Sequence, residues 1–221
     1  MRREPIAPTI RPFNRSGRDR MGAENADPLS GPDAALLRSG LDEHMEVFRR
    51  LPSLTPFIQE AAALVAATLS HGGKLLLCGN GGSAADSQHL AAEFSGRFVK
   101  DRRPLAAVAL STDTSALTCI ANDYGFEEVF SRQVTGLGRK GDCLLAISTS
   151  GNSRNVLRAA EAARAAGIRV IGLLGRDGGA VRALCDLAIV VPSTTTARIQ
   201  EAHIFIGHTL CALVEEALGL A

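Results

Sequence analysis

The chain has 221 residues, 46% of them hydrophobic and 21% charged, the make-up of an ordinary folded protein. A chain this long buries roughly 70% of its unfolded surface, so its core needs no disulfide or metal staple. Its 24 basic and 23 acidic residues leave a formal net charge of +1, which argues against a dedicated nucleic-acid binder.

Residues 1–33 are poor in large apolar groups, carry Pro5, Pro8, Pro12, Pro28 and Pro32, and concentrate Arg2, Arg3, Arg11, Arg15, Arg18 and Arg20. They read as a disordered arm, with residues 34–221 forming a single domain. The N-terminus lacks the hydrophobic stretch of a signal peptide, and no apolar run approaches the 18 or so residues of a membrane span. Cys78, Cys119, Cys143, Cys185 and Cys211 are scattered without a CxxC pair and read as small core residues in a reducing cytosol.

Helical periodicity begins at Asp33, with Leu36, Leu37, Leu41, Met45 and Phe48 falling on a helical repeat. A second apolar helix runs from Phe57 to Leu69, after the breaks at Pro52 and Pro56. Short apolar runs then alternate with amphipathic segments. The predicted strands are Lys74–Cys78, Leu105–Leu110, Cys143–Ser148, Val170–Leu174 and Leu187–Val191. Nearly continuous Leu, Ile, Val, Ala and Cys fit strands buried on both faces, hence a parallel sheet between helical layers. The helices between them are predicted at Ala84–Gly96, Ser115–Ile120, Glu127–Leu137, Asn155–Ala166 and Val181–Leu184, with a long last helix from Thr196 to Leu218. The architecture is a three-layer α/β/α sandwich with an N-terminal helical pair.

Ligands of open parallel sheets bind beyond the carboxyl ends of the strands, and two loops there stand out. Gly79-Asn80-Gly81-Gly82-Ser83-Ala84 follows the first strand and opens a helix, so its amides and the helix dipole can face an anion. It departs from the dinucleotide fingerprint GxGxxG in carrying Ala84 in place of the last glycine. Ser148-Thr149-Ser150-Gly151-Asn152-Ser153 follows the third strand and is denser in hydroxyls than an N-cap requires, which suits a phosphate held without lysine. On the helix after the first loop, His89, Glu93 and Arg97 share a face. Gln200 and His208, two turns apart, share one on the last helix. Separately these are ordinary surface or core groups. Together, two imidazoles, a carboxylate and an amide oxygen make the donor set of zinc and related divalent metals.

The segments CGNGGSAADSQHLAAEFSGRF, IANDYG, AISTSGNSRNV and ARIQEAHIFIGHTLCALVE occur in one order over Asp33–Leu218 and resemble the phosphoheptose isomerases, enzymes of the sugar-isomerase (SIS) domain class. The resemblance implies a five-stranded parallel sheet and exchange of sedoheptulose 7-phosphate with D-glycero-D-manno-heptose 7-phosphate. It further implies a cytoplasmic homotetramer with shared sites, feeding nucleotide-activated heptose into lipopolysaccharide or other surface glycans.

Substrate contacts carried over are Asn80, Gly81, Gly82, Glu93, Asn122, Asp123, Ser148, Thr149, Ser150, Ser153 and Gln200. One zinc per subunit would be held by His89, Glu93, Gln200 and His208, and Arg97 would touch substrate or a neighbouring subunit. Aldose–ketose exchange needs a base at the carbon beside the carbonyl and stabilisation of the enediolate oxygens, which assigns Glu93 as base and His208 as its proton-shuttling partner. The alternative is a non-catalytic SIS protein, either a phosphosugar sensor or a replication-initiator-associating protein.

Overall fold

The structure is a computed structural model and describes residues 31–221. All but the last three residues of the expected disordered arm lie outside the described residues. By its contacts the chain divides after Gly40. Helix α1, Pro32–Arg50, begins in the first unit, and everything below concerns residues 41–221.

After a 3-10 turn over Leu51–Leu54, the elements are α2 (Thr55–Ser70), β1 (Leu75–Cys78), α3 (Gly82–Ser95), β2 (Ala107–Ala109) and α4 (Thr114–Tyr124). They continue with α5 (Ser131–Leu137), β3 (Cys143–Ser148), α6 (Arg154–Ala165), β4 (Arg169–Gly175), α7 (Gly179–Arg182), β5 (Leu187–Val191) and α8 (Thr196–Ala217). The five strands form one sheet in the order β2-β1-β3-β4-β5, all parallel. Alternate strand residues enter two cores. Leu75, Leu77, Leu145, Ile147, Ile171 and Ile189 pack with α2, α3 and α8 on one face. Leu76, Cys78, Leu144, Ala146, Val170 and Leu174 pack with α5 and α6 on the other. This is the expected α/β/α sandwich, and burial on both faces explains the unbroken apolar runs.

Several boundaries shift by a residue or two from the sequence expectation, and three differences have a local cause or bear on the site. The second strand shortens to Ala107–Ala109 because it lies at the sheet edge and pairs with β1 alone. Leu105 and Leu110 are apolar because they fill the core. The helix expected over 127–137 splits into a 3-10 turn at Phe126–Glu128 and α5, where the Ser131 hydroxyl bonds the Glu128 carbonyl and carboxylate, an alternative to helical pairing. Helix α4 runs on to Tyr124, so Asn122 and Asp123 sit in its last turn. Among the described residues, no helix is long and apolar enough to cross a membrane.

Candidate active site

The carboxyl ends of β1 and β3 present the two loops side by side. Asn80, after β1, and Asn155, in the first turn of α6, pair their amides reciprocally: Nδ2 of each donates to Oδ1 of the other, at 2.7 and 2.8 Å. Asn155 is buried and also accepts from the Val156 amide at 3.0 Å. Sequence reasoning missed Asn155, although it follows the hydroxyl-rich run by only two residues.

The hydroxyl loop is held from within. Ser148 Oγ lies 3.1 Å from Ser153 Oγ and accepts from the Gly151 amide at 3.1 Å. Gly151 has φ of +66°, and a Cβ there would lie 2.0 Å from the Gly178 carbonyl oxygen, so only glycine fits. Asn152 accepts from the Ala180 amide at 3.0 Å, tying the loop to α7. Ser153 precedes α6 without a side-chain cap bond to it. The Ser153 hydroxyl is therefore not spent on capping, and the Val156 amide in the first turn of α6 donates to the Asn155 side chain instead.

The titratable cluster lies where α3 meets α8. Glu93 Oε1 and His208 Nε2 each stand 3.1 Å from His89 Nε2. The ligand atoms of His89, Glu93 and His208 all fall within 4.8 Å of one another, and all three come from one chain. The helices can approach because a Cβ on Gly207 would strike Leu90 at 2.6 Å, one residue from each histidine. The Phe98 ring packs 5.5 Å from the His208 ring. Two imidazoles and a carboxylate converging on one point fit zinc, whose nitrogen bonds of about 2.0–2.1 Å put tetrahedral ligands about 3.4 Å apart.

Gln200, the fourth expected ligand, directs its amide at Gly82, where a Cβ would lie 2.2 Å from its Nε2. That is seven residues, about 10 Å of helix, before His89. One turn before His89, Asp86 keeps a buried Oδ2 without a partner, and burial pushes its carboxyl up to about 6 despite the opposing pull of His89. Its three-residue spacing from His89 was the available signal for it. Asn122 and Asp123 are exposed on α4 and bonded to each other at 2.7 Å, and the structure joins neither to the cluster by a hydrogen bond. Arg97 is exposed and donates to the Val99 carbonyl at 2.9 Å.

Fold and site together define an SIS-domain protein, and the SIS domain profile matches residues 41–175. The phosphoheptose isomerase of Rhodospirillum rubrum is 59% identical over 173 residues, 78% of this chain and 92% of that relative. That of Helicobacter hepaticus is 55% identical over 184 residues, 83% of this chain and 94% of the relative. The solved phosphoheptose isomerase of Neisseria gonorrhoeae has a TM-score of 0.74 at 49% identity, covering 83% of this chain and 97% of that one. The chain belongs to the phosphoheptose isomerase family.

Proposed function

We propose that the chain isomerises sedoheptulose 7-phosphate to D-glycero-D-manno-heptose 7-phosphate, with the His89–Glu93–His208 cluster as its reactive centre. The observation that carries this is the meeting of a carboxylate and two imidazoles at one point, in a chain more than half identical to phosphoheptose isomerases. The same relatives favour an isomerase over a non-catalytic binding module.

The reaction moves one proton from C1 to C2 of the ketose and shifts the carbonyl the other way. Glu93 serves as the base. Its Oε1 lies against His89, and Oε2 is the oxygen available to take the C1 proton and return it to C2. His208, on the facing helix, carries a proton between the two substrate oxygens across the enediolate. The phosphate seats on Ser148, Thr149, Ser150 and Ser153 with the amides at the start of α6, and Asn80, Gly81, Gly82 and Gln200 line the sugar. His89, Glu93 and His208 are the residues to hold zinc, while Gln200, expected as a fourth ligand, is seated at Gly82 and serves the sugar. When bound, zinc would supply Lewis acidity at the carbonyl end of the sugar.

Asn122 and Asp123 reach substrate, on this reading, in a site completed by a second copy within a homotetramer. Leu41, Met45, Phe57 and Phe205 are each between 44% and 53% exposed, apolar surface that assembly would cover. The reading also places the enzyme in the cytoplasm, at the head of nucleotide-activated heptose synthesis for lipopolysaccharide or other surface glycans.

The test is to incubate the protein with sedoheptulose 7-phosphate and follow the aldose by NMR. We expect turnover by the wild type, and losses of about 100-fold or more for Glu93→Gln and His208→Ala at unchanged melting temperature. No turnover by zinc-supplemented wild type would refute the proposal.

A further inference from the structure

The charged run after α3 hides a second device. Arg102, which the sequence presents as one cation in RFVKDRR, is buried with Glu215 of α8, their side chains 2% and 3% exposed. We propose that this pair positions the metal-binding cluster, an inference that rests on the reading that His89, Glu93 and His208 bind zinc.

The contacts run to both helices of the cluster. Arg102 Nη2 donates to the backbone carbonyl of Glu93 at 2.8 Å, and Nη1 donates to those of Phe94 and Gly96 at 2.7 and 3.0 Å. Nη1 also reaches the Arg103 carbonyl at 3.1 Å. The Glu93 and Phe94 carbonyls lie in the last turn of α3, where partners within the helix run out, and the Phe94 carbonyl also accepts from the Leu105 amide, so one guanidinium helps close the turn that carries Glu93 and places a cation at the negative end of the helix. Arg102 Nε donates to Glu215 Oε1 at 2.6 Å. Glu215 stands seven residues after His208, two turns along the same face of α8. The same carboxylate oxygen accepts from the Phe98 amide at 3.2 Å, and the Phe98 ring packs near the ring of His208. The pair thus holds Glu93 through its own peptide and His208 through Phe98 and the α3–α8 seam.

Burial sharpens the point. Removing two charges from water largely offsets their attraction, so well-packed apolar replacements of such a pair are often neutral or stabilising. What they cannot reproduce is a fork that spans carbonyls of one helix end and a carboxylate of the next helix. The effect of the pair on the placement of Glu93 and His208 is therefore read as zinc affinity per folded molecule, apart from the stability lost with those backbone bonds.

The experiment measures zinc affinity of the full chain by competition with a chromophoric chelator, and in parallel the melting temperature of zinc-free protein. The samples are wild type, the double variant Arg102→Met with Glu215→Leu, the single variant Arg102→Lys, and His208→Ala as reference. We expect the double variant to melt below wild type, because the Glu93 and Phe94 carbonyls and the Phe98 amide lose these partners, and to bind zinc about 10- to 100-fold more weakly per folded molecule. Arg102→Lys, which keeps the charge but offers a single ammonium to several carbonyls, should fall between the two. Wild-type affinity in a folded variant overturns the proposal, as does an affinity that declines only in proportion to folded protein. If the double variant does not fold, Arg102→Lys decides alone. If wild type binds zinc no better than His208→Ala, the metal reading itself fails and takes this proposal with it, a result separable from wild-type binding unaffected by the pair.

Discussion

Gly82→Ala tests whether the seat of the Gln200 amide is used in catalysis. A methyl at Gly82 would lie 2.2 Å from Gln200 Nε2 and 2.8 Å from its Cδ, and the nearest atoms all belong to that one flexible side chain. To restore an ordinary spacing of 3.4 Å, the amide must withdraw by about 1.2 Å. Gly82 opens α3 without a left-handed φ, so alanine is tolerated there and stabilises by about 0.5 kcal/mol through the unfolded chain. The variant should therefore melt no lower than wild type. A displacement of about 1 Å in a group that orients substrate costs roughly 100-fold, so kcat/KM for sedoheptulose 7-phosphate should fall by that order. Gln200→Ala should lose as much, and the double variant little more, because both changes remove the same contact. Full kcat/KM in Gly82→Ala would show that the amide's place over the glycine loop plays no part in turnover. A lowered melting temperature would show that the side chain cannot yield as argued.

Gly151→Ala should behave differently, because the obstacle is the Gly178 carbonyl oxygen at 2.0 Å and φ is +66°; stability and kcat/KM fall together, the first by about 2 kcal/mol or more in chemical denaturation. His203 is wholly buried, with Nε2 on the Leu174 carbonyl oxygen at 3.1 Å, and burial pulls its pKa down to about 4. Acid therefore protonates the unfolded chain first, and stability is lost as pH falls from about 6.5 toward 4, by about 2 kcal/mol between pH 7 and pH 5. Asp86, pushed up to about 6, works in the opposite sense over roughly pH 4 to 6, so the measurement is the difference between proteins: His203→Gln should lose about 2 kcal/mol less than wild type on that acidification. Equal losses would remove His203 as the acid-sensitive group.

How much of this was legible in the sequence depends on whether a feature is local. Leu75–Cys78 and Cys143–Ser148 are buried on both faces, and their composition says so directly. The limits of β2 were not legible, because Leu105 and Leu110 look like strand residues yet serve the core beside a three-residue edge strand. Spacing places His89 and Glu93 on one face of α3, but the meeting with His208 depends on Gly207 against Leu90, a contact between residues 117 positions apart with no local signature. Arg102 is the extreme case: the run from Arg97 to Arg103 reads as a solvated loop until Glu215 is seen to face it from α8. The asparagine pair is intermediate. Asn80 stood out inside its glycine loop, whereas Asn155 looked like the first turn of an ordinary helix until the reciprocal bonds joined them.

The near-neutral charge can now be set against an anionic substrate. Of the lysines, Lys74 is paired with Asp142 at 2.6 Å where β1 and β3 begin, with the Arg139 amide donating to the same carboxylate. Ser148 closes the other end of β3, six residues and so roughly 20 Å away. That cation ties two strand ends together and cannot reach the proposed phosphate seat. The buried guanidinium of Arg102 is likewise committed, to Glu215 and the end of α3. What remains at the seat are hydroxyls set by Ser148–Ser153 and Gly151, at the start of α6. Neutral donors fixed by a strand and a helix supply direction without net charge. The same division holds at the reactive end, where Glu93 and the two histidines face one another and the nearby Arg102 guanidinium is spent on backbone carbonyls and Glu215.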